Sequence, residues 1–258
     1  MSLTYSSYLK LNQLLELQRP KSDPVQHDEM LFIVIHQVYE LWFKQVLWEL
    51  DGVKRQFSAG QLFPAIASFK RLQTIFKTLV GQLDILETMT PVSFTAFRER
   101  LETASGFQSV QFRELEFLLG HKRPEMLHSF DADDLKRLER RLDEPSVVDC
   151  FYDLLATRGV EIPRALREKG AREPTRPDPS IQRDLLRMYR LKQEDSILFE
   201  LMTDVDEGLQ EWSYRHVKIA ERTIGNKRGT GGSLGVEYLK KALFRSVFPD
   251  LWAIRHEL

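Results

Sequence analysis

Six histidines, at positions 27, 36, 121, 128, 216 and 256, are the first candidates for chemistry in this chain. No two of them have the His-x-x-x-His spacing that grips zinc on one helical face. His27 and Glu29 have the His-x-Glu spacing of a zinc deaminase, but the Pro-Cys-x-x-Cys that must accompany it is missing. Glu125 and His128 form a single Glu-x-x-His, whereas a di-iron bundle needs two such pairs and two further glutamates. A metal held by side chains alone therefore has little support. His36 follows Phe32 by one helical turn, in the most apolar stretch of the chain. It is either a core histidine satisfied by a neighbouring helix or a wall residue offering one hydrogen bond to a bound ring. His216 lies inside Trp212-Ser-Tyr-Arg-His216-Val-Lys. With a single cysteine in the chain, a lone histidine is the natural axial ligand for any haem in a helical bundle, although most such histidines bind nothing.

Two further features could hold a ligand. Arg98 follows Phe94 by one turn, a pairing able to clamp a carboxylate beside a ring, or else an ordinary solvated arginine among Glu99 and Arg100. The segment Lys227-Arg-Gly-Thr-Gly-Gly-Ser-Leu-Gly235 is rich in glycine, yet it matches neither phosphate-binding glycine motif and follows no strand. Its backbone could approach a ligand closely, with Thr230 and Ser233 as hydroxyl donors; otherwise it is a loop between helices.

These residues need a frame, and the frame reads as helical throughout. The chain has 258 residues, of which 42% are apolar and 29% charged. Thirty-seven basic against 38 acidic side chains leave a net charge of −1. That balance removes the electrostatic case for nucleic acid or an anionic membrane as the main partner. The longest apolar run is Met30-Leu-Phe-Ile-Val-Ile35, too short to span a bilayer, and no signal-peptide pattern opens the chain, so a cytoplasmic protein is expected. Cys150 alone cannot form an internal disulfide, a Cys-based zinc site or an iron–sulfur cluster.

Pro24 and Asp28-Glu29 announce a helix over 27–55, apolar almost all round from Leu31 to Phe43 and so expected to be buried inside a bundle. A second long helix is predicted over 61–88. Thr90-Pro91 reads as an N-cap followed by proline at the first helical position, opening a helix that carries Phe94, Phe97, Arg98 and Leu101. Ser105-Gly106 breaks the pattern before 110–119. Further helices are predicted over 131–142, 146–158, 180–191, 195–224 and 236–248, with the proline-rich stretch 171–179 as an irregular connection. No repeat and no hairpin signal is present. The prediction is all-α: one domain over 1–258, a bundle of long helices with a helical insertion near 120–180.

Six blocks carry a resemblance that runs nearly end to end: Thr4-Tyr-Ser-Ser-Tyr-Leu9, residues 27–43, Phe94-Thr-Ala-Phe-Arg98, Ala104-Ser-Gly-Phe-Gln-Ser109, Arg215-His-Val217 and Lys227-Arg-Gly-Thr-Gly-Gly-Ser233. In this order they resemble the tryptophan 2,3-dioxygenase family, haem enzymes that open the indole ring of L-tryptophan to N-formyl-L-kynurenine with O2. Ser6 departs from the glycine many members carry there, with no chemical consequence. The resemblance implies one haem b per subunit with His216 as its proximal ligand. It implies His36 as the distal histidine that hydrogen-bonds the indole N–H, and Phe32 as a wall of the indole pocket. Arg98 matches the arginine on the substrate carboxylate, Phe94 the aromatic position beside it, Thr230 the loop threonine at the amino-acid backbone, and Leu101 and Ser105 two pocket-lining positions. Tyr5, Tyr8 and Leu9 match a segment that reaches into the neighbouring subunit's site in a homotetramer built as a dimer of dimers. Some relatives oxidise modified indoles instead, and a haem sensor would need His216 but have no use for Arg98 or Thr230.

Overall fold

The computed structural model describes residues 2–191, 193–225, 236–240 and 243–258, and the side chains of 128, 129, 193, 237 and 238 are left aside. It is all-α, with no strand among the described residues. Two short N-terminal helices, α1 (Tyr5–Leu9) and α2 (Leu11–Leu14), precede the long α3 (His27–Ser58) and α4 (Leu62–Leu86). Then come α5 (Pro91–Arg98), α6 (Val110–Leu118), α7 (Ala132–Asp143), α8 (Val147–Thr157), α9 (Arg164–Arg167) and α10 (Pro179–Leu191). The second 32-residue helix, α11 (Gln193–Ile224), is followed by α12 (Val236–Lys240) and α13 (Pro249–Ala253).

The frame is made by α3, α4 and α11, with α4 packed against both others. On α3 the buried positions Ile35, Tyr39, Phe43, Val46, Leu50, Val53 and Phe57 recur every three or four residues, the spacing of one helical stripe. Asp28 and Glu29 sit in its first turn, where the helix dipole favours negative charge. Polar ties fix the register: the Tyr39 hydroxyl donates to the carbonyl of Leu79 at 2.8 Å, and Gln73 Nε2 to Asp204 Oδ2 at 2.6 Å. Gly208 lets α11 approach α4 closely, since a methyl group in its place would lie 3.0 Å from Phe76 Cβ. The α3–α4 turn passes through Gly60 at φ 67°, a left-handed conformation that glycine adopts without cost.

Between residues 110 and 157 the chain adds α6 to α8. Helix α8 joins the main core, whereas α7 shares a separate small cluster, Leu138 and Leu142 against Phe117. Buried Glu114 of α6 accepts Arg137 at 2.6 Å and Arg141 at 3.2 Å from α7, and Arg141 also grips Asp51 of α3 through two bonds of 2.7 and 2.9 Å. Lys122 donates to the carbonyls of Arg141, Leu142 and Glu144, satisfying the orphan acceptors at the end of α7. Burial lowers its pKa to about 8.

Two expectations are corrected. The first is the burial of α3: Met30, Val34, Leu41 and Trp48 are exposed, Trp48 to 72%, so one apolar face of the helix is uncovered. The second is the helix over 236–248. The described part of it ends at Lys240, and Phe244 has φ 60°. The amides of Val247 and Phe248 donate to the fully buried Asp206 carboxylate at 2.8 and 3.0 Å, and Trp252 Nε1 joins them at 2.9 Å. A helix through these residues would need those amides for its own ladder, and Pro249 further disfavours helical backbone at Phe248.

Candidate functional site

Helices α3, α4, α5, α6 and α11 enclose a cavity of about 340 Å³, lined mostly by apolar side chains. Seven of the residues singled out in the sequence meet there: Phe32, His36, Phe94, Arg98, Leu101, Ser105 and His216. Phe32 and His36 lie along one face of α3 with ring centroids 4.0 Å apart and their planes tilted by 36°. Phe94 and Phe97 of α5 close on Phe32 at 5.8 and 5.6 Å, making an aromatic slot whose walls are Phe32 and Phe94, with the fully buried Phe97 behind them. Helix α5 is set by Thr90, whose hydroxyl accepts the Ser93 amide at 3.1 Å, and by Pro91 behind it. Arg98 lies in the last turn of α5, and Leu101 follows in a 3₁₀ turn. Ser105 caps the next turn, accepting the Phe107 amide at 3.3 Å while Gln108 accepts its own amide at 3.2 Å.

The two histidines differ in how their nitrogens are used. His36 Nδ1 lies 2.7 Å from the carbonyl oxygen of Phe32. A carbonyl only accepts, so Nδ1 carries the proton. Burial pushes the His36 pKa below its ordinary value, against the opposing influence of that hydrogen bond and of Glu40. The ring is thus neutral at pH 7 and its Nε2 is an acceptor. His216, on α11, is enclosed by protein, and burial lowers its pKa to about 4, with His36 acting in the same direction. Its imidazole makes no hydrogen bond among the described residues; it lies parallel to Trp212 instead. What surface it keeps opens onto the cavity.

Several lining residues carry no signal that the sequence reading used. Arg113, Glu116, His121, Arg123 and Arg245 put charge and one more imidazole on the cavity wall. Glu116 is paired with both Arg113 and Arg123. In sequence, Arg113 and Glu116 look like any ion pair three apart on a helix surface. Tyr39, Phe43, Phe112 and Trp212 form the aromatic floor. Tyr5, Tyr8 and Leu9 do not reach this cavity: they stand on α1 with exposures of 76, 70 and 41%. Thr230 lies outside the described residues.

An apolar slot, an acceptor histidine, a second neutral histidine without a partner and an arginine at one edge are the parts of a pocket for a flat aromatic amino acid and a prosthetic group. A family model described as tryptophan 2,3-dioxygenase matches residues 1–162 and 181–258. The chain belongs to the tryptophan 2,3-dioxygenase family. Among its relatives, the tryptophan 2,3-dioxygenase of Herpetosiphon aurantiacus is 52% identical over 258 residues, covering 100% of this chain and 99% of the relative. That of Anaeromyxobacter dehalogenans is 51% identical over 261 residues, covering 100% and 97%. That of Burkholderia multivorans is 40% identical over 262 residues, covering 100% and 84%. The unmatched stretch, residues 163–180, contains α9 and the proline-rich connection and contributes no residue to the cavity wall.

Proposed function

We propose that the chain is a haem-dependent tryptophan 2,3-dioxygenase, converting L-tryptophan and O2 into N-formyl-L-kynurenine. The observation that carries this reading is the pair His36 and His216 on different walls of one cavity, both held neutral by burial. His216 fits an iron ligand, because a neutral imidazole with no hydrogen-bond partner has a lone pair to give. The arginines beside Glu116 fit the carboxylates at the edge of a haem. When bound, ferrous haem supplies the binding and activation of dioxygen.

The chain's own residues then have four tasks. Phe32 and Phe94, backed by Phe97, hold the indole plane in a slot that keeps water away. His36 Nε2 accepts the indole N–H and sets the position of C2=C3; it is a positioning acceptor, since indole has no proton to lose near neutrality. Arg98 grips the substrate carboxylate with its fork of donors, and Leu101 and Ser105 shape the same edge. Thr230 meets the amino-acid backbone by family correspondence. Both oxygen atoms enter the product as the C2=C3 bond is cleaved, so no external reductant enters the net reaction.

Assembly belongs to the same reading. The exposed Tyr5, Tyr8 and Leu9 of α1 reach a neighbouring subunit's cavity in a homotetramer. The uncovered face of α3 supports association, because an apolar stripe carrying Trp48 and Leu41 is costly in water. Truncation of residues 1–11 should raise the KM for tryptophan and loosen the oligomer without emptying the haem site. A fully active monomer in sedimentation overturns that arrangement.

The decisive test is anaerobic reduction of the purified haem-loaded protein, addition of L-tryptophan and then air, with the product read by mass. A gain of two oxygen atoms is expected, and His216→Ala should lose the haem while keeping its helical circular dichroism. Haem bound without turnover of tryptophan refutes the activity, as does turnover restricted to substituted indoles. A His216→Ala protein with normally ligated haem refutes the ligand.

A further inference from the structure

The axial histidine of a metal site ordinarily donates its second ring nitrogen to a carboxylate or a carbonyl, which fixes the ring and raises its basicity. His216 has no such partner among the described residues. What it has is Trp212, one turn earlier on the same face of α11, with the two rings 4° from parallel and their centroids 5.2 Å apart. Trp212 is itself only 7% exposed. Phe43 meets it edge-on at 87° and 5.8 Å, Tyr39 at 64° and 6.1 Å, and Phe112 lies 5.1 Å away. The indole therefore cannot turn without displacing three other rings. The helix beneath is also fixed: Arg215, next to His216, pairs with Asp84 of α4 at 2.6 Å and with Glu87, the residue capping the end of α4, at 3.2 Å.

We propose that Trp212 is the positioning residue of the axial ligand, so that stacking rather than a hydrogen bond sets the plane of the His216 ring. The inference rests on the haem reading above and adds two consequences to it. The ring holds one orientation although neither nitrogen has a hydrogen-bond partner among the described residues. The outer N–H also has no acceptor among the described residues, so the ligand donates as plain neutral imidazole, a weaker donor than a histidine bonded to carboxylate. Weaker donation favours the ferrous state, which is the form that binds O2.

The experiment compares holoenzyme carrying W212F, which keeps a ring beside His216, with W212L, which keeps bulk without one. The readouts are the iron–histidine stretching mode of the ferrous form, the hyperfine-shifted proton resonances of the ferric cyanide form, and transfer of haem to apomyoglobin. Wild type and W212F should show one narrow stretching mode and one imidazole orientation. W212L should broaden and shift the mode and lose haem roughly two- to tenfold faster, the scale of one aromatic pair. Tyr39→Phe is the control for general loosening of the floor: it should lower the thermal midpoint without moving the mode.

A W212L holoenzyme with wild-type mode and orientation overturns the proposal. If W212L does not accumulate as folded protein, wild type still decides, because two or more imidazole orientations in its ferric spectrum overturn the proposal. Wild type without any iron–histidine mode overturns the haem reading itself, and that failure is visible before any variant is made.

Discussion

Replacement of His36 by alanine tests the assignment on which substrate orientation depends. The Nδ1 proton is committed to Phe32 at 2.7 Å, so Nε2 is the atom left to accept the indole N–H. One neutral hydrogen bond contributes ~0.5–1.5 kcal/mol, and the variant also removes the ring packed 4.0 Å from Phe32. Together these should lower kcat/KM by roughly 10–1,000-fold, the upper part reflecting a loosened slot rather than the bond alone. The bond can be isolated by a cycle that pairs His36→Ala with 1-methyl-L-tryptophan, which has no N–H to donate. If Nε2 accepts that N–H, the two changes remove the same interaction, and the double perturbation should fall short of additivity by about 1 kcal/mol, or fivefold in kcat/KM. Strict additivity would refute the contact, and a dead His36→Ala enzyme that binds tryptophan normally would refute the positioning role in favour of obligatory base catalysis. The acid side provides a second check. Burial depresses the His36 pKa below its ordinary value, so the acceptor form predominates at every pH above that lowered value. Activity should then be level through neutrality and fall only as acid protonates Nε2 and turns it into a donor. His36→Ala should lack that limb.

Arg98→Ala should raise KM and lower kcat, together costing roughly 2–5 kcal/mol in kcat/KM, with haem content unchanged; steady-state kinetics indistinguishable from wild type would show that Arg98 does not touch substrate. Lys122 gives a pH signature in stability. Its charge is present in both states below about pH 8, and between there and 10.5 the folded protein has lost a proton that the unfolded chain keeps. The unfolding free energy from denaturant titration should therefore rise with pH across that interval, by up to ~3 kcal/mol, and Lys122→Met should flatten the rise. Asp206→Ala leaves the Val247 and Phe248 amides and the Trp252 indole N–H without their acceptor. It should cost ~3 kcal/mol or more by calorimetry, and a variant of unchanged stability would show that water or the backbone takes over.

The fold was legible wherever the information was local. Thr90-Pro91 sets the start of α5 through a single hydroxyl and a fixed φ, and both are visible in the dipeptide. The stripe of α3 recurs at helical spacing, as does the pairing of Phe32 with His36 and of Phe94 with Arg98. What failed depended on residues far apart in the chain. The end of α12 and the turn at Phe244 follow from Asp206, some forty residues earlier, drawing off the amides of Val247 and Phe248. The charged part of the cavity wall was hidden because Arg113 and Glu116 have the spacing of an exposed pair, and nothing local says that their face turns inward. Hydrophobic pattern also could not separate burial in the bundle from an apolar face left open, which is why Trp48 and Leu41 stand in water.

That open face and the cavity belong to the same helix, and this links assembly to the site. Phe32, His36, Tyr39 and Phe43 look into the cavity, while Met30, Val34, Leu41 and Trp48 look out. The segment carrying α1 is tied to α3 at two points that bracket Phe32 and His36. Glu29 accepts the amides of Lys21 and Ser22 and the Ser22 hydroxyl, and Gln37 both donates to the Leu17 carbonyl at 3.2 Å and accepts Gln18. An arm fixed at its root spends less conformational entropy on docking than a free tether does. Its Tyr5, Tyr8 and Leu9 stay exposed beyond that root, which is where the proposed assembly needs them. A surface that stays apolar without a partner and an exposed aromatic arm both fit the proposed assembly, in which a neighbouring subunit completes each pocket.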